Sequence, residues 1–145
     1  MPPETIAIAA DHAGFDLKET LKAELGAHGF TALDLGAHGR ESVDYPDFAD
    51  ALAAAIKDGR ASRGVLICGT GIGISIAANR YRHLRAAVCH DTTSARLARQ
   101  HNDANVLALG ARLVGPEVAK DCLAVFLATP FESGGRHDRR IAKMS

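Results

Sequence analysis

A net charge is what this sequence lacks first. Its 17 Lys and Arg offset 17 Asp and Glu, so no global field draws it toward nucleic acid or a membrane surface. Any anion binding must come from local arrangement. No apolar segment approaches the roughly 20 residues that span a bilayer. Met1 to Thr5 carry no basic stretch ahead of a long apolar run, so no signal peptide is expected. Cysteine is scarce and odd in number: Cys68, Cys89 and Cys122 form no C-x-x-C pairing. Reduced thiols in the cytoplasm are therefore expected, and a disulfide framework or zinc site is not. H-E-x-x-H is absent, and His28, His38, His83 and His90 have no metal-ligand spacing, so neither a metal nor another cofactor is expected.

Aromatic residues reach only 5%, but hydrophobic residues make up 47% and charged ones 23%. That balance belongs to an ordered globular chain. No linker, low-complexity tract or repeat interrupts it, and 145 residues can bury a core. Residues 1–145 read as one domain, with 131–145, holding Gly134, Gly135 and four cationic side chains, as a separate tail.

Short apolar, β-prone runs cover Ile6 to Ala10, Phe30 to Leu35, Gly64 to Cys68, Arg85 to Cys89 and Asn105 to Leu109. Helical patterns lie between them. Leu17, Leu21 and Leu25 recur at four-residue spacing, with Gly26 and Gly29 closing the helix. Asp44 is placed to cap a second helix, which has Pro46 in its first turn, runs to Lys57 and stops at Gly59. Further helices fit Ile72 to Arg80, Thr92 to Gln100 and Pro116 to Ala128. This alternation predicts an α/β fold with a parallel sheet covered on both faces. Strands without polar alternation, such as Val65-Leu66-Ile67, agree with double-sided burial.

Ligands of open α/β sheets bind where strands end and helices begin. Those ends hold Asp11-His12, the Cys68 loop, Cys89-His90-Asp91 and Gly110-Ala111-Arg112. The loop reads Cys68-Gly69-Thr70-Gly71-Ile72-Gly73 and opens a helix, so its backbone N–H groups can converge on an anion. A tight turn without a ligand explains the same glycines. A dinucleotide fingerprint fits less well, because Gly73 comes one residue too soon and the loop follows the third strand. A cysteine phosphatase would need an arginine where Ile74 stands. Cys68 reads either as inert packing or as a thiolate stabilised by the helix start. Cys122, on an apolar stripe with Val118, Ala119, Val125 and Phe126, and Cys89, at a strand end, read as structural. Arg136 and Arg140 are one turn apart if the tail is helical, and both can then face one phosphate; a solvated cationic tail is the alternative.

Ala10-Asp11-His12-Ala13-Gly14, Asp44-Tyr45-Pro46, Cys68 through Ser75, Arg99-Gln100-His101-Asn102-Asp103 and Gly134-Gly135-Arg136-His137 occur in this order across nearly the whole chain. In this the sequence closely resembles ribose-5-phosphate isomerase type B, of the family that also holds allose- and galactose-6-phosphate isomerases. The resemblance implies a Rossmann-like three-layer α/β/α sandwich with five parallel strands, working as a homodimer or dimer of dimers, each site built from two subunits. It also implies a cofactor-independent aldose–ketose isomerase, an intramolecular oxidoreductase of the pentose phosphate pathway, that acts on a small sugar phosphate. By this resemblance Cys68 is the proton acceptor and His101 the ring-opening acid/base; ring opening needs an acid/base couple, for which Asp11 is the expected partner of His101, and the Thr70 hydroxyl can assist at the loop. Asp11, His12, Asn102 and Arg112 match substrate-binding positions, and the backbone of Gly69, Thr70, Gly71, Ile72 and Gly73 matches an anion hole. Arg136 and Arg140 match phosphate ligands, with His12 nearby. A branch that uses a glutamate base has it where this chain has Ile74, so the cysteine branch is implied.

Overall fold

The structure is a computed structural model that describes residues 2–145. Its five strands are β1 (Thr5–Ala10), β2 (Thr31–Asp34), β3 (Arg63–Cys68), β4 (Ala86–Val88) and β5 (Val106–Gly110). They form one all-parallel sheet in the order β2-β1-β3-β5-β4. The helices are α1 (Phe15–Ala27), α2 (Tyr45–Lys57), α3 (Ile72–Ala78), α4 (Thr92–Asn102), α5 (Pro116–Ala128) and α6 (Arg136–Met144). None of them is long and apolar enough to cross a membrane.

The central strands bury both faces, which is why their apolar runs show no polar alternation. On one face Ile6, Ile8, Val65, Ile67, Leu107 and Leu109 meet α1, α4 and α5, whose Leu21, Leu25, Ala95, Leu123 and Phe126 complete that core. On the other, Ala7, Ala9, Leu66, Val106 and Ala108 meet Leu52 and Ala53 of α2 and Ile74 and Ala78 of α3. The expected three-layer sandwich is the result. Helix α6 stands apart from both cores, buries none of its residues and packs against α4.

Several local expectations shift. Asp44 occupies the N-cap of α2 but its side chain makes no capping bond. Helix α1 runs through Gly26, and Gly29, at φ +84°, makes the left-handed turn after it. Helix α3 stops at Ala78, two residues earlier than its pattern. His101 and Asn102 belong to the last turn of α4, leaving Asp103, at φ +45°, to end it. The longer helix has a cause: Arg99 Nη1 holds Asp103 Oδ1 at 2.8 Å and the Ala104 carbonyl at 2.7 Å. Val118 is exposed and falls outside the buried stripe of Cys122.

One buried ion pair fixes the β2 edge. Lys18 is fully buried, and its Nζ reaches both oxygens of Asp34 at 2.9 and 2.8 Å; Lys22 joins at 2.8 Å. Burial alone would raise the Asp34 pKa, but the bonds from Lys18, Lys22 and the Gly36 N–H outweigh it and bring it down to about 2.

Candidate active site

The carboxyl ends of β1, β3 and β5 bring one set of polar groups together. Asp11 follows β1 and is buried, and its Oδ1 accepts the N–H groups of Ala13 and Gly14 at 3.0 and 3.1 Å. This cap turns the chain through His12–Gly14 into α1. The turn fits against β3 only because residue 14 lacks a side chain, since a Cβ there would sit 2.7 Å from Ile67 Cγ2. His12 accepts the Val43 N–H on Nδ1 at 3.1 Å. In the neutral ring the proton then sits on Nε2, leaving that nitrogen as a donor.

Cys68 ends β3, 4% exposed, and its Sγ accepts the Gly71 N–H at 3.1 Å. The other thiols lie in a different setting. Burial raises the Cys122 pKa to about 11 and pushes that of Cys89 upward, consistent with packing roles. Gly71 adopts φ +77° at the start of α3, and a Cβ there would meet the Leu109 carbonyl carbon at 2.9 Å. Gly110 admits the loop from below, because a Cβ on it would lie 2.5 Å from the Thr70 oxygen. The Thr70 hydroxyl accepts the Ile72 N–H at 3.1 Å. Two of the five loop amides, those of Gly71 and Ile72, are thus already used within the loop. The amides of Gly69, Thr70 and Gly73 make no hydrogen bond to another described residue. The Arg112 N–H bonds the Gly69 carbonyl at 2.9 Å, which lays the guanidinium over Gly69. Ile74 points into the core, fully buried.

Two contacts escaped the motifs. The Tyr45 ring packs onto Gly73, where a Cβ would come within 2.6 Å of it. A His90 ring nitrogen lies 3.4 Å from the Thr70 carbonyl. Tyr45 and His90 lie in segments the sequence does single out, Asp44-Tyr45-Pro46 and Cys89-His90-Asp91, but nothing in their spacing marks these contacts.

His101, Asn102, Arg136 and Arg140 lie elsewhere. Helix α4 starts directly after β4 and runs back along the sheet, so its last turn reaches the level where β4 begins. There the Arg85 Nε donates to the Asn102 carbonyl at 3.0 Å. Cys68 pairs with Gly110, whereas Gly64 and Ala86 both pair with Val106. Four strand steps, about 13 Å along the sheet, therefore separate the two levels. The expected partnership of Asp11 with His101, and of His12 with Arg136 and Arg140, does not form within one chain. The physical reason is the antiparallel course of α4 against its strands.

The distal set is itself ordered. Asp138 accepts the N–H groups of Gly134 and, at 3.1 Å, Gly135, which fixes the start of α6. Helix α6 places Arg136 and Arg140 one turn apart, as the helical-tail reading requires. The His101 and His137 rings stack at 4.3 Å between centroids, with 11° between planes. Partial burial, then the charges of His101 and Arg136, lower the His137 pKa. Among the described residues Arg112, Arg136 and Arg140 take part in no ion pair.

A free thiol at a strand end, open amides beside it and unpaired arginines suit a small phosphorylated substrate. Known proteins agree with that chemistry. Residues 6–144 match the family described as Ribose/Galactose Isomerase. Ribose-5-phosphate isomerase B of Escherichia coli is 48% identical over 94% of this chain and 91% of its own. D-erythrulose-4-phosphate isomerase of Pectobacterium atrosepticum is 51% identical over 90% and 87%. The solved ribose 5-phosphate isomerase of Thermotoga maritima superposes with a TM-score of 0.94 at 52% identity, covering 97% of both chains. This chain belongs to the ribose/galactose isomerase family.

Proposed function

We propose that the protein interconverts ribose 5-phosphate and ribulose 5-phosphate by proton transfer through an enediolate. The observation that carries the reading is the Cys68 loop, in which a sulfur accepts the Gly71 N–H beside the open amides of Gly69, Thr70 and Gly73. Cys68, as thiolate, takes the C2 proton of the open-chain aldose and returns it to C1, while the O2 hydroxyl proton passes to O1 and leaves the C2 ketone. General-base help of this kind is typically worth ~10²–10⁴-fold. The oxyanion developing on the enediolate oxygens is held by the open amides, with the Thr70 hydroxyl beside them. His101 opens the furanose by removing the O1 proton and delivering a proton to O4 as the C1–O4 bond breaks. The phosphate is remote from the chemistry, so Arg136 and Arg140 act on it by orienting the sugar.

A second copy of the chain supplies His101, Asn102, Arg136 and Arg140 to each Cys68 loop. The distance between the two sets in one chain supports this reading. It also agrees with the exposed apolar residues Ile72, Ile76 and Leu113 around the loop, which suit burial against a partner. The protein is then a homodimer or a dimer of dimers, a single 1–145 domain whose 131–145 tail completes the neighbour's site. Three free thiols and a phosphorylated metabolite suit the cytoplasm.

Cys68→Ala tests the base directly. Turnover should fall by roughly 10²–10⁴-fold, while ribose 5-phosphate still raises the melting temperature; substantial residual turnover contradicts the assignment. The erythrulose-4-phosphate relative gives one specific reason to weigh another sugar. Comparing kcat/KM on ribose 5-phosphate, erythrulose 4-phosphate and allose 6-phosphate decides chain length. A lead of tenfold or more for another sugar overturns the pentose reading but keeps the isomerase.

A further inference from the structure

The distal cluster brings together three metal-ligand groups that have no partner among the described residues. His101 on the last turn of α4, Glu132 in the connection after α5 and His137 on α6 each offer a donor atom, all within 4.8 Å of one another. None of the three side chains makes a hydrogen bond or ion pair with a described residue, whereas Arg99, Gln100 and Asp138 beside them do. Their positions are fixed from two directions. The Glu132 N–H bonds the Gln100 carbonyl at 3.0 Å, which pins the connection to the end of α4. Asp138 holds the Gly134 and Gly135 amides, which sets the entry to α6 and hence His137. Both imidazoles are half-buried and Glu132 is exposed, so the cluster has a supported side and an open side.

We propose that His101, Glu132 and His137 form a binding site for a Zn²⁺-class ion, and that occupancy of this site inhibits the enzyme.

Two imidazoles and one carboxylate are a common ligand set for zinc with an open fourth position. Tetrahedral zinc with ligands near 2.0–2.1 Å separates its donors by about 3.3 Å. Donors now within 4.8 Å reach that by side-chain rotation, with one ring turning out of the stack. Imidazole selects Zn²⁺, Co²⁺, Ni²⁺ and Cu²⁺ over Mg²⁺ and Ca²⁺, which need more oxygen donors. The neighbouring cations Arg136 and Arg140 reinforce that choice. They oppose any dication, so only one that bonds strongly to imidazole overcomes them. The inhibitory part rests on the proposed role of His101; the site itself does not. An ion on a His101 ring nitrogen takes the lone pair that would accept the sugar proton, and it adds bulk where the arginines meet phosphate.

The site is separable from Cys68 by spectroscopy. Metal-free protein is titrated with Co²⁺ and then with Zn²⁺ against a chromophoric chelator, and wild type is compared with Glu132→Gln and His137→Gln. Wild type should take one ion per chain with visible d–d bands and no sulfur-to-cobalt charge-transfer band. Each variant should weaken binding at least tenfold. Zn²⁺ should inhibit wild-type turnover reversibly, with chelator restoring it, and Glu132→Gln should keep turnover while needing at least tenfold more Zn²⁺ for inhibition. A thiolate charge-transfer band, or equal binding by wild type and both variants, overturns the site. Binding through these residues without loss of turnover keeps the site but overturns both the inhibition and the role of His101.

Discussion

The two ends of the sheet hold chemistry in opposite ways. At the carboxyl ends of the strands, Asp11, Cys68 and the glycine loop are locked by the core. Asp11 and Cys68 are buried, and four glycines there, Gly14, Gly71, Gly73 and Gly110, have no room for a Cβ. At the other end, α6 buries nothing and is held by the Asp138 cap and the stack of His137 on His101. The first region is preorganised by folding, as positioned amides must be if they are to stabilise an oxyanion without reorganising. The second is carried on the rim, where long arginine side chains can adjust to a phosphate. Under the proposed function this is a division between a rigid reacting centre and an adaptable clamp, and substitutions of the same chemical kind should behave differently at the two ends.

Glycine to alanine makes that contrast sharpest. In Gly110→Ala the new Cβ meets the Thr70 oxygen at 2.5 Å, so the loop must move, and turnover should drop by about 10²-fold. Gly135→Ala has nothing within 4 Å and should leave stability within about 0.5 kcal/mol. Paired kinetics and thermal melts check this, and equal effects at the two positions would erase the distinction. Next in size, Arg136→Ala with Arg140→Ala should raise the apparent KM for the sugar phosphate by roughly 10- to 100-fold, the weight of charged hydrogen bonds. The melting temperature should hardly change, because α6 contributes no buried residue. A large fall in melting temperature with unchanged KM would make the tail structural instead.

The smallest effect is one of pH at the β2 edge. Asp34 has a pKa lowered to about 2 from 3.8, so its contribution is fully present above pH 3.8 and is lost as pH falls through about 2. The shift corresponds to about 2 kcal/mol. Asp34→Asn should therefore flatten the acid limb of the stability curve in that window, measured by denaturant melts, and an unchanged limb would contradict the ion-pair account.

Much of the rigid end is legible in the sequence, because burial on both faces leaves continuous apolar runs and because Gly69, Gly71 and Gly73 mark a tight turn. Cys68 ends such a run, so its place in the sheet follows directly. The adaptable end is less legible. His101 and Asp11 stand in motifs of equal prominence, yet nothing local reveals that α4 carries one of them away from the other. That depends on the helix running back along its strands, a property of the whole topology. The capping role of Asp44 also fails: residue type and position favour a cap, but its side chain makes no bond to the helix start. Glu132 has no motif at all, since it joins the two histidines only through the bend of the chain after α5.

The central claim is that each site takes Cys68 from one chain and His101 from another. Hybrid dimers of Cys68→Ala and His101→Ala chains, co-expressed and isolated through two different tags, test it most directly. Each parent should be nearly inactive, while a hybrid retains one intact site out of two and should show about half the wild-type turnover per dimer. A hybrid as inactive as its parents would contradict the account.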